Sequence, residues 1–365
     1  MRKLFLSALA VATMFTSATA QDSTSSPLEF SGSVDAYFKN STEGISPGSS
    51  FANGENGFNL GMVNLIAEKS GDKSGFVADL VFGPRGGDAV FLSQQSIVDT
   101  NGVTHTVNGS STIINQLYAY WNVSDKLTLT LGNFNTFLGY EVISPTGNFN
   151  YSTSYMFSNG PFSHTGLKLD YAVSDDITLM ASVMNATDAT EGPLGVNTPS
   201  FGLQLGLYDA AWINVVLGDQ DGDAKNSAGS TFQIDLTAGK DLSDDLYLGI
   251  NTTFNTTTDG GLNNDGSTAD GGFYGAALYT QYAITDALSA GIRGEYFAWT
   301  SGDMDATSVI DLTASLNYTV GNLTFIPEFR IDLSEDGWET TESIPTDLKY
   351  HSSIAQFYLA AVYAF

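Results

Sequence analysis

Eleven charged residues recur on one parity of apolar alternating runs, and together they could do chemistry inside a single cavity. They are Asp35, Asp79, Lys168, Asp170, Asp235, Arg293, Glu295, Asp311, Glu328, Arg330 and Asp332, eight acidic and three basic. On a strand, every second side chain points the same way, so these groups would share one face of a sheet. If the short turn at Gly321 pairs Tyr318 with Leu323, Asp311 falls opposite Arg330, with Arg293 and Glu295 on the neighbouring strand. The spacing therefore predicts a wall-mounted ladder of Arg293, Glu295, Asp311, Glu328 and Arg330. Hydration of a water-filled interior is the equally weighted alternative role for these charges. A wet cavity of this acidic balance should prefer cations to anions.

Other chemistry finds weaker support. Asp219, Asp221 and Asp223 begin like a calcium loop, but Ser230 stands where the bidentate acid belongs and no flanking helices are expected. A solvated acidic loop is the default reading. His105, His164 and His351 lie in three separate connectors without metal-ligand spacing. Cysteine is absent, which removes thiolate ligands, disulfides and a Cys nucleophile. No Ser, His and Asp spacing marks a catalytic triad, so neither enzymatic activity nor a cofactor is expected. A formal net charge of −27 argues against nucleic acid as a partner.

The elements that must carry the charged face are strands. Residues Met1 to Ala20 read as a secretory signal, with Arg2 and Lys3 before an apolar run and Ala18-Thr19-Ala20 as cleavage site. The mature domain is then expected over 21–365. No later apolar run is long enough for a membrane helix. Instead the chain alternates amphipathic runs with connectors of two kinds. Seven are short, such as Val123-Ser124-Asp125-Lys126 and Val173-Ser174-Asp175-Asp176, with tight-turn residues. Eight are long and polar: 40–56, 83–112, 135–165, 185–199, 218–230, 255–272, 299–307 and 334–352. Long and short alternate throughout, which yields about sixteen strands, of which 58–68 and 211–217 are the weakest.

That sorting predicts an all-β fold: a transmembrane, antiparallel up-and-down β-barrel with short periplasmic turns and long extracellular loops. The residues of the opposite parity, such as Leu167, Leu169 and Tyr171 or Phe232, Ile234 and Leu236, are uncharged along these runs and are expected to face lipid. The last run alternates through Phe357, Leu359, Ala361, Tyr363 and Phe365. Its terminal aromatic resembles the signal by which bacterial outer-membrane proteins are recognised, which implies the barrel-assembly machinery as a partner.

The third long connector, 135–165, is rich in aromatics: Phe137, Tyr140, Phe149, Tyr151, Tyr155, Phe157 and Phe162. Such a segment is expected to fold inward and constrict the lumen, with Glu141 and His164 as its candidate polar groups. Gly132-Asn133-Phe134 through Gly139-Tyr140-Glu141, then Asn150-Tyr151-Ser152 and Pro161 to Gly166, resemble the OmpL-like outer-membrane β-barrel porins. The resemblance covers about 35 residues. It implies passive transport of small hydrophilic solutes or ions across a bacterial outer membrane, with membrane lipid around the barrel. By analogy with sixteen-stranded porins it also implies a homotrimer. A substrate-specific sugar or nutrient channel and a surface adhesin or receptor mounted on a barrel are the alternative functions.

Overall fold

The computed structural model describes residues 27–42, 48–93, 95–98, 104–107, 110–191, 199–220, 229–341 and 348–365. The signal segment 1–20 lies outside the described residues. The strands are β1 (Glu29–Ser41), β2 (Gly57–Lys69), β3 (Ser74–Phe82), β4 (Gln95–Val98), β5 (Thr104–Val107), β6 (Ile114–Ser124), β7 (Leu127–Asn135), β8 (Ser163–Ala172) and β9 (Ile177–Met184). There follow β10 (Ser200–Leu207), β11 (Ala211–Asp219), β12 (Ser230–Asp241), β13 (Leu246–Leu262), β14 (Thr268–Ala283), β15 (Leu288–Ser301), β16 (Thr307–Val320), β17 (Leu323–Thr341) and β18 (Leu348–Ala364). Two short helices, α1 (Pro84–Ala89) and α2 (Tyr155–Asn159), interrupt long connectors.

All the strands except β4 and β5 form one closed barrel in which every neighbour is antiparallel. Closure is made by β1 and β18, from Ser33 beside Ala364 to Ser41 beside Gln356. The terminal residue finishes the seam: Gly32 N donates to Phe365 O and Phe365 N donates to Gly32 O, both at 3.0 Å. No strand of the barrel is left with an unpaired edge, which is the condition for spanning hydrocarbon with strands.

The side chains sort across the wall as period two requires. Phe30, Leu131, Leu167, Leu203, Ile292 and Phe329 are exposed on the outer surface, whereas Asp35, Asp235, Arg293, Asp311 and Arg330 face inward and are buried. The two weakest runs are real strands, β2 and β11.

Three expectations need correction. Connectors 255–272 and 334–352 are largely strand, because β13 runs on with β14 and β17 with β18 beyond the rim as two-stranded ribbons. Connector 83–112 holds α1 and a separate hairpin, β4 with β5. The register at Gly321 also differs from the expected one. Gly321 takes φ of +61°, and Val320 pairs with Leu323 across a two-residue turn. Asp311 therefore stands opposite Asp332, and Arg330 opposite Thr313. The shift is two residues, so every side chain keeps its face.

An arginine on the outer face should oppose insertion. Leu203→Arg at the centre of β10 is expected to lower barrel stability by about 2–4 kcal/mol, whereas the inward Gln204→Arg should cost clearly less. Urea unfolding in lipid bilayers measures both.

Candidate functional site: a segment clamped inside the lumen

The chain between β7 and β8, residues 136–162, packs against inward faces on several sides of the barrel. Tyr140 stacks on Tyr279 of β14 at 4.0 Å between ring centroids, and Tyr155 stacks on Phe297 of β15 at 5.9 Å. Tyr151 lies 5.2 Å from Tyr37 of β1. Leu138 and Phe137 join Met184 of β9 and Val216 of β11. Phe157 and Phe162 pack with Phe51 from the β1–β2 connector. Wall glycines seat several of these groups: a side chain at Gly249 would collide with Tyr140, one at Gly291 with Phe149 and one at Gly202 with Phe137.

A non-strand backbone inside a barrel needs hydrogen-bond partners, because the wall strands have spent their own amides and carbonyls on one another. Carboxylates supply them. Asp235 accepts from Gly139 N at 2.9 Å, and Glu328 from Tyr151 N at 2.6 Å and Ser152 N at 2.9 Å. Glu295 accepts from Tyr155 N at 2.8 Å and Met156 N at 2.7 Å. Within the segment, Glu141 accepts from Ser154 N at 2.7 Å. At its exit, Asp188 in the β9–β10 connector accepts from Phe162 N at 2.6 Å and Ser163 N at 2.9 Å.

Arginines balance these charges. Arg293 binds Glu141 Oε1 at 2.7 Å, Asp311 Oδ2 at 2.9 Å and the carbonyl of Ser152 at 2.7 Å. Arg330 binds Asp332 Oδ1 at 2.8 Å, Asp311 Oδ2 at 3.0 Å and the carbonyl of Thr153 at 2.8 Å. Both guanidiniums are fully buried. Arg85 of α1 is buried as well, donating to the carbonyls of Ile143 at 2.8 Å and Tyr151 at 3.3 Å while facing the rings of Phe51 and Tyr151. The β1–β2 connector adds Ser49 Oγ to Arg330 at 3.1 Å and Ser50 N to Ser158 Oγ at 2.8 Å. Removing one member of so dry a network leaves its partner buried and uncompensated, which is where the energetic weight lies.

The model of the β-barrel porin-2, OmpL-like family matches residues 27–365. The chain belongs to that family. No curated protein sequence matches it. Among solved structures it is similar to the outer membrane channel DcaP of Acinetobacter baumannii, with 15% identity, 93% of this chain and 97% of that chain covered, and a TM-score of 0.59. It is also similar to OmpT of Vibrio cholerae, with 10% identity over 93% and 97% and a TM-score of 0.56. An anion-selective porin from Comamonas acidovorans has 9% identity over 93% and 99%, with a TM-score of 0.55. At such identities the likeness is one of fold. The chain is an outer-membrane porin of bacteria rather than an enzyme.

In this porin the residues singled out by spacing separate into two groups. Asp35, Asp79, Glu141, His164, Asp235, Arg293, Glu295, Asp311, Glu328, Arg330 and Asp332 are all buried. Lys168 and Asp170 form an ion pair at 3.2 Å and keep 26% of each side chain open. The ladder differs from the expected one. Arg293, Asp311, Arg330 and Asp332 are its ionic rungs, whereas Glu295 and Glu328 hold the inserted segment's backbone. Asp35 accepts from Met62 N and the Tyr151 hydroxyl, and Asp79 from Asn64, Asn115 and Gln116. His164 meets Thr136 Oγ1 at 3.0 Å beneath the Phe137 ring. Asp219 is buried, while Asp221 and Asp223 lie outside the described residues. No group of three His, Cys, Asp or Glu residues able to hold a metal occurs among the described residues.

Sequence reasoning missed Arg85, Lys39 and Asp188. The usable signal was scarcity: the chain has four arginines, and Arg85, Arg293 and Arg330 all lie buried in the lumen.

Glu328→Gln should weaken docking of the segment by about 1.5–3 kcal/mol, the worth of a hydrogen bond to a charged group. The expected sign is about ten- to hundredfold faster hydrogen exchange at the Tyr151 and Ser152 amides, with the barrel strands unchanged. Burial pushes the Asp188 carboxyl up to about 7, against the opposing pull of the Ser163 and Phe162 amides. The folded form thus holds its proton more tightly than the unfolded one. Its stabilising effect is complete below the ordinary carboxylate range and is lost as pH rises to about 7. Asp188→Asn should flatten the pH dependence of thermal unfolding between about 4 and 7.

Proposed function

We propose that this porin lets small hydrophilic solutes diffuse passively across the outer membrane, favouring cations, with residues 136–162 as its constriction. The observation that carries this reading is the clamp itself. Carboxylates on the wall and at the rim hold a long segment across the interior of a sixteen-stranded barrel, the strand number at which a lumen is otherwise wide enough for water. A surface adhesin would need only the wall and the outer loops.

The cation preference rests on the surplus of acids over bases inside and at both rims, where Asp125, Asp175, Asp244, Asp265 and Asp303 stand in exposed turns and loops. The assembly in this reading is a homotrimer, inserted by the barrel-assembly machinery. OmpT of Vibrio cholerae, a structural relative, occurs in a trimer form.

Liposome swelling with sugars of graded size should show entry that falls steeply with solute size. Planar bilayers under a salt gradient should give a reversal potential of cation-preferring sign. Anion preference would remove the charge assignment, and absence of any conductance would favour the adhesin.

A further inference from the structure

The inward wall is not uniformly dry, and one arc of it groups half-exposed aromatic and charged residues. From β6 to β11 the groups Tyr120, Lys168, Asp170, Gln204 and Trp212 keep part of their surface open, as does Phe137 of the inserted segment beside them. On the facing arc, wall residues such as Tyr247, Tyr279, Phe297 and Tyr358 are buried against residues 139–157, while Gln281, Ser289 and Asn317 near the short-turn rim keep part of their surface open.

Three features make this arc a built surface. Its aromatic rings rest against wall glycines. A side chain at Gly75 would strike the Tyr120 ring, one at Gly202 would strike Phe137, and one at Gly206 would crowd the Trp212 indole. Each ring thus abuts the wall on one side and keeps part of its surface open. Between the rings stands the Lys168–Asp170 pair, whose charges sum to zero at 3.2 Å. Gln204 is fixed by Nε2 donation to Asn214 Oδ1 at 2.8 Å and to the Phe137 carbonyl at 3.3 Å.

We infer that this belt is a binding subsite for neutral oligosaccharides. The inference rests on the reading of the chain as a channel for hydrophilic solutes, and it names the solute class. A sugar ring offers an apolar C–H face, which stacks on an aromatic face, and a rim of hydroxyls, which suits a donor and an acceptor held side by side. An ion would meet a repelling partner beside each attracting one. The belt crosses six neighbouring strands, about 24 Å of wall at about 4.8 Å per strand step. That matches a short chain of sugar units and exceeds an amino acid, the zwitterion that a Lys–Asp pair alone would suit.

The test is calorimetric titration of the detergent-solubilised, full-length barrel with maltotriose, with bilayer conductance in parallel. Saturable binding is expected. Tyr120→Leu and Trp212→Leu should each weaken it about tenfold, and Lys168→Met with Asp170→Asn should weaken it further. The outward Leu316→Ala should bind like the parent. Circular dichroism and heat-modifiable gel mobility establish which variants are folded barrels, and the charge-neutral Lys168/Asp170 double variant keeps the test open if an aromatic variant fails to form one. No binding by the parent, equal binding by all folded variants, or binding of alanine in place of maltotriose would each overturn the inference. In bilayers the sugar should block the current saturably. A protein that binds sugar without conducting would refute the channel reading and leave the subsite standing, whereas conductance that falls only with solution viscosity would refute the subsite alone.

Discussion

A carboxylate accepting two backbone amides deep inside a barrel is the interaction on which the rest of this structure depends. Glu328 does this for Tyr151 and Ser152, and Glu295 for Tyr155 and Met156. An irregular segment carries N–H groups that no ladder can satisfy, and an unpaired buried N–H is expensive. Neutral side-chain acceptors would serve, but a carboxylate is stronger and takes two donors at once. Having placed acids there, the wall must also place cations. Arg293 and Arg330 are the answer, and each in turn binds a carbonyl of the same segment. Loop and wall thus supply many of one another's hydrogen bonds, and neither half of the network is satisfied without the other. Such buried ionic networks add less to stability than to uniqueness of arrangement. Here the arrangement specified is the path of residues 136–162.

Packing makes the same demand in a second form. Aromatic side chains of the segment need flat seats, and inward glycines such as Gly249 and Gly291 provide them. Wall strands lose propensity at each glycine, so these positions favour the inserted segment at the expense of the strand. The barrel itself tolerates this because closure through β1 and β18 leaves each of its strands paired on both sides.

The barrel was readable from the sequence because lipid imposes a rule with period two on every strand, and a charge on the wrong parity at mid-membrane depth would break it. Strand number, connector alternation and the outward face all follow from that rule. What the inward charges do was not readable. Parity places Glu328 and Arg330 inside without saying whether water or peptide meets them. The partners of Glu328, Tyr151 and Ser152, are 177 and 176 residues away in the chain. Register was a further limit: the glycine at 321 permits a two-residue turn, and the resulting shift puts Asp311 beside Asp332, a pairing made tolerable by Arg330, which binds both, and by Arg293, which binds Asp311. Arg85 escaped notice because it lies in a connector rather than on an alternating run. Among all the inward charges chosen by parity, the Lys168–Asp170 pair kept the wettest surface, for a local reason: β8 lies on the arc that residues 139–157 leave uncovered.

This division between dry and wet charge bears on how selectivity arises. In water at physiological salt, charges more than about 8 Å apart are largely screened from one another, so the aspartates of the exposed turns act mainly at the rims. Buried charges are screened far less, and the acids among them outnumber Lys39, Arg85, Arg293 and Arg330. Their surplus would reach the lumen as a diffuse negative potential, while the wet belt itself carries a balanced pair. The two proposals are therefore compatible. A diffuse field acts on ions wherever they pass, whereas a neutral sugar feels only the local surface of rings, amide and ion pair. On the proposed reading, a wall that needs acids to hold the inserted segment would acquire an ionic bias as a by-product, and it would remain free to recognise uncharged solutes on the arc where no clamp is required.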